Sequence, residues 1–290
     1  MKDLKGKVAV VTGASSGIGR ATAIELAKEG CLLAISDVNE KELEVTRRTI
    51  EKMGTKVHAK VLDVANKKAF HDYANEVAEH FGKVNIVINN AGVAVSATLE
   101  NTTYEDFEWL MNINFWGMVY GSKAFLPHLK KTGDGHICNV SSVFGFMAPA
   151  GTGAYNASKF AIRGFNETLR AELDIEDCGV SLSSIHPGGI KTNIARDARM
   201  DEKTLKDLGM DKAKAHAQFT QIALTTPESA AKTIVNGIKK NKMRILIGFD
   251  AKVIDWLTRF TPILYRKLVT KLMKVGQARQ RKITARSAKV

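Results

Sequence analysis

The chain predicts an α/β fold: a doubly wound parallel sheet of about seven strands in a single domain, continued by a C-terminal helical tail. Three observations carry that expectation. Short Val- and Ile-rich runs alternate with longer amphipathic stretches as far as about residue 250. The apolar runs seldom alternate strictly with polar residues, which suits strands covered on both faces. No Pro/Gly/Ser-rich linker or internal repeat divides the 290 residues, a length that one large domain accommodates.

Taken in order, the strands are expected at KVAVVTG, CLLAISD, KVHAKVLD, VNIVINN, HICNVSS, VSLSSIHPG and MRILIGF. Helices are expected between them at residues 18–29, 40–53, 67–81, 104–130, 154–174 and 228–239. Each strand–helix–strand passage is a βαβ unit, joining parallel strands by a right-handed crossover. A closed eight-fold barrel would need one more repeat than the sequence supplies. Residues 1–250 therefore form the expected domain. Within it, the polar and charged residues 193–226 interrupt the rhythm before the last core helix. An excursion of that length reads as a substrate lid. Residues 251–290 form a basic amphipathic extension.

A composition of 44% hydrophobic and 25% charged residues excludes disordered and collagen-like classes. Cys31, Cys138 and Cys178 are odd in number and lack CxxC spacing, so they read as free thiols of a reducing compartment. The start of the chain has no apolar signal core, and no window reaches the apolar length of a membrane span; the expected location is cytoplasmic. From residue 251 onward there are 11 Lys/Arg and one acid, Asp255, which leaves +3 of the net +13 for the first 250 residues. The basicity belongs to the tail, and no nucleic acid is expected as partner. The seven histidines show no HxH or HxxxH spacing, so no metal site is expected. GxSxG is absent, which removes the serine-hydrolase elbow.

TGASSGIG, residues 12–19, follows the first strand and opens the first helix. Gly13, Gly17 and Gly19 let the backbone turn tightly and approach a diphosphate, with Ser15 and Ile18 beside them. The helix N-terminus then holds its charge. Asp37 ends the second strand, where a carboxylate accepts from adenosine ribose hydroxyls and repels a 2′-phosphate. Its other reading is a cap for the helix beginning near Asn39. With Ser16 before Gly17 and Val38 after Asp37, neither neighbour is basic. NAD is therefore the expected cofactor, with NADP still admissible. Further on, YNASK sets Tyr155 and Lys159 on one face of a helix.

In their order and spacing these motifs resemble those of the classical short-chain dehydrogenases/reductases, over residues 5–248. TGxxxGxG is joined by Asp63–Val64 after the third strand, by NNAG at 89–92, by NxxG beginning at Asn114, by SSxxG at 141–145, by YxxxK at 155–159 and by PGxxxT at 187–192. The resemblance implies a Rossmann fold and a catalytic tetrad of Asn114, Ser142, Tyr155 and Lys159. It selects Ser142 over Ser141 because Ser142 lies 13 residues before Tyr155. It implies that Asp63 and Val64 flank adenine, and that Asn90, Ala91 and Gly92 hold the ribose and floor the site. Pro187, Gly188, Ile190 and Thr192 would line the nicotinamide end, and a homodimer or homotetramer is implied.

A phenol is a poor base near neutrality, and an adjacent ammonium stabilises its phenolate. Lys159 is expected to tune Tyr155 in this way, Ser142 to bond the substrate oxygen, and Asn114 to position a water that leads protons from Lys159 to solvent. The apolar residues after Ser142 and after NNAG point to a hydrophobic alcohol or carbonyl substrate, or else to core and subunit packing. The alternative to an enzyme is a catalytically weak, nicotinamide-bound sensor or scaffold that uses its tail to bind a membrane or partner. In that tail Val253, Leu257, Phe260, Leu264, Leu268 and Leu272 lie close to one helical face, with a break at Pro262. The pattern suits peripheral membrane contact, a cover for the substrate mouth, or a subunit boundary.

Overall fold

The computed structural model describes residues 1–207, 211–213, 216–217, 221 and 223–287. The main sheet contains β1 (Val8–Thr12), β2 (Leu32–Asp37), β3 (Val57–Val61), β4 (Ile86–Asn89), β6 (Gly135–Val140), β7 (Val180–Pro187) and β9 (Arg244–Ile247). All seven expected strands are present. Their order is β3-β2-β1-β4-β6-β7-β9, with every pairing parallel. From β1 the chain winds outward one way to β3, then returns to β4 on the other side of β1. That reversal opens a crevice beyond the C-terminal ends of β1 and β4.

Helices cover both faces. Ala9 and Val11 of β1 pack into a cluster with Leu26 and Ile234. These come from α1 (Gly17–Lys28) and α8 (Pro227–Lys239). Val8 and Val10 point the opposite way, as strand alternation requires, towards Phe70, Tyr73 and Phe125. Those rings belong to α3 (Lys67–Phe81) and α5 (Gly117–Thr132). Phe125 meets Phe70 and Tyr73 edge to face at centroid separations of 6.4 and 6.1 Å. Burying such a side chain stabilises the fold by about 2–3 kcal/mol. Helix α2 (Glu40–Glu51) starts at Asn39, whose side chain accepts from the Glu42 N–H, and α3 starts likewise at Asn66.

Three features depart from the sequence expectation. The helix expected over 104–130 is two segments, α4 (Tyr104–Met111) and α5, joined by a π turn at Asn112–Trp116. Its surplus residue lets Asn114 turn inward to bond the chain at Val93. Second, two-residue strands β5 (Val95–Ser96) and β8 (Arg199–Met200) pair with each other, too short to leave a periodic signal. Third, the expected lid contains β8 and α7 (Glu202–Asp207), and part of 193–226 lies outside the described residues. The tail forms α9 (Phe249–Phe260) and α10 (Leu264–Ser287), broken at Pro262 as expected. Among the described residues no helix is long and apolar enough to cross a membrane.

Candidate active site

The glycine loop leaves β1 at the crevice. Gly13 and Gly17 have φ of +66° and +52°, the left-handed region that favours glycine. A Cβ on Gly13 would lie 2.8 Å from the Ala91 Cα, and one on Gly19 would lie 2.0 Å from the Gly13 carbonyl oxygen. The loop is thus packed backbone on backbone. Thr12 Oγ1 accepts from the N–H groups of Asn90 and Ala91 at 3.0 and 3.1 Å. Asn90 Nδ2 donates to the Thr12 and Gly13 carbonyls at 3.0 and 3.2 Å. The loops after β1 and β4 therefore form one unit. Thr192 closes the other side, its Cγ2 lying 3.1 Å from where a Gly17 Cβ would sit.

Unlike α2 and α3, α1 begins without a side-chain cap, at Ser16, and like α3 it has no acid in its first turn. Amides of Ile18 and its neighbours at such an end suit an anion, so the loop fits a dinucleotide diphosphate. Asp37 stands beside it: Oδ2 accepts from the Ser15 N–H at 3.0 Å and Oδ1 from the Asn39 N–H at 2.9 Å. Arg20, a base on the same turn, is engaged by Glu42 at 2.7 Å, by Thr46 Oγ1 at 2.9 Å and by the Ser15 carbonyl. At the end of β3, Asp63 Oδ1 accepts from the Ala65 N–H, while Val64 packs where a Gly117 Cβ would fall.

Across the crevice, Tyr155 and Lys159 project from α6 (Gly153–Glu176), with the Lys159 Nζ 5.3 Å from the Tyr155 ring centroid. Nζ donates to the Val140 carbonyl at 3.1 Å. Asn114 Oδ1 accepts from the Val93 N–H at 2.8 Å, and its Nδ2 donates to the Val93 carbonyl at 3.0 Å and Ser158 Oγ at 3.2 Å. A Cβ on Gly92 would lie 3.2 Å from Asn114 Oδ1 and 3.7 Å from Lys159 Nζ, so the glycine leaves the space between them free. Ser142, after β6, accepts from the Phe144 N–H at 3.1 Å, and its hydroxyl lies close enough to that of Tyr155 to favour the phenolate. The four residues of the expected tetrad thus meet in one place.

Their electrostatics differ from the sequence expectation. Tyr155 is half-buried as a residue, yet protein crowds its hydroxyl. Burial pushes it up to about 12, and the nearby Ser142 hydroxyl offsets part of that rise. Burial lowers Lys159 from 10.5 to about 8. In the chain alone, desolvation therefore outweighs the attraction between cation and phenolate.

Lysine burial has a measurable consequence. Below about pH 8 folded Lys159 carries its charge at a desolvation penalty, and between about 8 and 10.5 the unfolded chain still holds a proton the folded chain has lost. Stability from this group therefore rises with pH through that window. In ligand-free protein, Lys159→Met is expected to gain melting temperature relative to the parent chain below pH 8. That advantage should shrink as pH approaches 10.5, as scanning calorimetry would record; an advantage that grows with pH contradicts the assignment.

Two supporting residues escaped the sequence reading. Burial holds His186 down to about 4, so its ring is neutral. Its Nδ1–H donates to the Ser142 carbonyl at 3.0 Å, leaving Nε2 to accept from Ser184 Oγ at 2.8 Å. Asn166 donates to Ser184 Oγ and accepts from Asn139, which extends the buried polar chain to β6. The second is Asp250, whose Oδ2 accepts from the Gly189 N–H at 2.6 Å. A Cβ on Gly188 would lie 2.1 Å from that oxygen. Asp250 thereby pins the Pro187–Gly188 turn that leads to buried Ile190 and to Thr192. A lone His before Pro and a lone Asp after Phe carry no spacing signal; only tertiary packing gives them partners.

A parallel sheet of this order, wound on both faces with helices, is that of an oxidoreductase family. The chain belongs to it: the family model described as short chain dehydrogenase matches residues 7–203. Among its relatives, "Putative oxidoreductase SadH" of Mycobacterium tuberculosis is 45% identical over 271 residues, 93% of this chain and 96% of that protein. Estradiol 17-beta-dehydrogenase 11 of Pongo abelii is 30% identical over 277 residues, 93% of this chain and 86% of that one. A short chain dehydrogenase/reductase from Burkholderia phymatum, solved in complex with NAD, superposes with a TM-score of 0.79 at 30% identity, covering 85% of this chain and 90% of that one.

Proposed function

We propose that the protein transfers hydride between a nicotinamide cofactor, NAD in preference to NADP, and a hydrophobic alcohol or carbonyl compound. The observation that carries this reading is the meeting of Tyr155, Lys159, Ser142 and Asn114 across the crevice from the glycine loop. The cofactor's nicotinamide, when bound, supplies or takes the hydride. Gly13, Ser15, Gly17, Ile18 and Gly19 would hold its diphosphate, Asp37 one ribose, Asp63 and Val64 the adenine end, Asn90 to Gly92 the middle, and Pro187 to Thr192 the nicotinamide end.

In this reading Ser142 Oγ bonds the substrate oxygen and fixes it beside the Tyr155 hydroxyl. Burial keeps that phenol protonated, ready to donate to an oxygen as negative charge develops on it. In the oxidative direction Tyr155 takes the proton, with the Lys159 ammonium favouring the phenolate. Asn114, held by Val93 and Ser158, would steady a water next to Lys159 in the space Gly92 leaves. The preference for NAD is supported by Asp37 beside the loop and by the engagement of Arg20 with Glu42, which leaves that base committed away from a 2′-phosphate.

The apolar substrate is supported by the packing beside Tyr155, where Val93, Val95, Phe107 and Leu110 gather, and by a relative named for estradiol. Residues 193–226 are proposed as its lid, since β8 pairs with β5 at that wall and Thr204 Oγ1 accepts from the Thr98 N–H. Exposed Trp116 and Phe160 offer apolar surface for a homodimer or homotetramer.

A screen of straight-chain ketones and aldehydes of increasing length, with NADH and NADPH in parallel, tests the reading. NADH should give kcat/KM at least about tenfold above NADPH, as a carboxylate facing a 2′-phosphate implies. Each added methylene that is buried should raise kcat/KM about three- to fourfold. A profile flat with length contradicts the hydrophobic pocket, and cofactor binding without turnover of any carbonyl favours the sensor alternative.

A further inference from the structure

We propose that α9 and α10 form a docking surface for an anionic lipid bilayer. The observation is a continuous exposed apolar stripe edged by cations. On α9, Phe249, Val253, Trp256 and Phe260 face solvent along one side; Phe249 and Phe260 are 81% and 68% exposed. The stripe crosses the break at Pro262 through Ile263, 72% exposed, and runs on along α10 as Leu264, Leu268, Leu272 and Val275. Rotations of about 100° per residue put these four α10 side chains within one quarter of its circumference. The same rotations put Lys271 about 60° from the middle of the stripe, Lys267 and Lys274 about 100° and 120° from it on the same flank, and Arg266 about 160° away, so cations edge the stripe and continue behind it. Apolar exposure on this scale is unusual on a monomer surface and marks a partner.

Charge decides which partner. The sequence from Leu264 to the C-terminus contains no acid. The one acid beyond residue 250, Asp255, is turned to the body, where it meets Arg244 at 2.8 Å as well as Arg259 on its own helix at 2.9 Å. A second copy docked stripe to stripe would bring two cationic flanks together with no acid on α10 to offset them. An anionic bilayer satisfies both halves, taking the apolar side chains into its interfacial layer while headgroups meet the lysines and arginines. Trp256 and Phe260, with ring centroids 5.3 Å apart, are of the residue types that settle at that depth.

The attachment to the body also has a direction. β9 lies parallel to β7, with Pro187 opposite Ile247, so the tail leaves the sheet at the same edge as the proposed active site. Asp250, at the start of α9, holds the Gly189 N–H in the loop there. Docking would therefore bring that edge towards the bilayer, where an apolar substrate is concentrated. That corollary alone rests on the proposed function.

The test is co-sedimentation of the full chain with vesicles, read without any activity. Binding to vesicles of phosphatidylglycerol and phosphatidylcholine should exceed binding to phosphatidylcholine alone by at least about tenfold at physiological salt. Lys267→Glu with Lys271→Glu, and separately Leu268→Glu with Leu272→Glu, should each lower that binding by at least about tenfold. Circular dichroism and thermal transition should be unchanged in both, since these side chains are exposed. Equal sedimentation with both vesicle types, undiminished binding by both double variants, or no binding by the parent chain would overturn the proposal. So would an oligomer that the leucine variants split while the parent chain ignores vesicles, which would assign the stripe to a second copy.

Discussion

Tyr155→Phe is expected to lower kcat by at least about a thousandfold while leaving the Kd for NADH within about twofold, since positioned acid–base catalysis contributes factors of this order. The substitution removes one oxygen and preserves the ring, so the edge-to-face contact with Phe144 at 6.1 Å persists. What disappears is the proton carrier in reach of Ser142. Stopped-flow reduction of a competent carbonyl with NADH, beside fluorescence titration of NADH, separates the two quantities. Residual turnover above a few per cent of the parent rate would mean that another group moves the proton. Equal loss of NADH binding would mean that the hydroxyl serves the cofactor and not the reaction.

Gly19→Ala should be as damaging by a different route. Its Cβ would meet the Gly13 carbonyl oxygen at 2.0 Å and Asn90 Nδ2 at 2.5 Å. Neither neighbour can yield alone, because Asn90 is bonded to the carbonyls of Thr12 and Gly13. The loop must open, at a cost of about 1–3 kcal/mol in stability typical of overpacking. NADH affinity should fall at least about tenfold, because a displaced backbone no longer presents its amides to an anion. Gly164→Ala is the matched control: on α6 its added methyl meets nothing within 4 Å. That variant should gain up to about 1 kcal/mol from helix propensity and bind NADH normally. Isothermal titration and thermal melts of the pair give the answer; retained affinity in Gly19→Ala would show that the loop does not bind the cofactor.

The architecture was legible because buried parallel strands must be apolar on both faces, a property that one strand such as VAVVT displays by itself. Helix ends were legible where a polar cap stood before an amphipathic run, as at Asn39 and Asn66. The candidate site was legible in its sequence-local parts, since Tyr155 and Lys159 need only a helix to share a face, and the glycine loop needs only its strand and helix. Whatever depends on distant partners was silent. His186 and Asp250 acquire meaning from Ser142 and Gly189, residues far along the chain or brought near by the sheet edge. The rise of the Tyr155 hydroxyl in the chain alone was silent for the same reason, because crowding around a hydroxyl is a property of the packed interior. Asp37 was read in two ways, and both have a partner: Asn39 caps α2 with its own side chain, while Asp37 accepts from the Ser15 N–H at the loop and from the Asn39 N–H before the helix.

The π turn at Asn112–Trp116 makes the long helical rod a device of angular phase. On one side of it Leu110 faces the small apolar cluster near Tyr155, and on the other Gly117 and Gly121 seat the rod against Val64 and Asn89. Deleting a single residue there would restore ordinary winding with the two halves still nearly in phase, since the π turn absorbs one surplus residue. The glycine seat would survive, and the inward amide of Asn114 would be lost. Length variation among related chains should therefore avoid these five residues and collect in the stretches on either side of the rod.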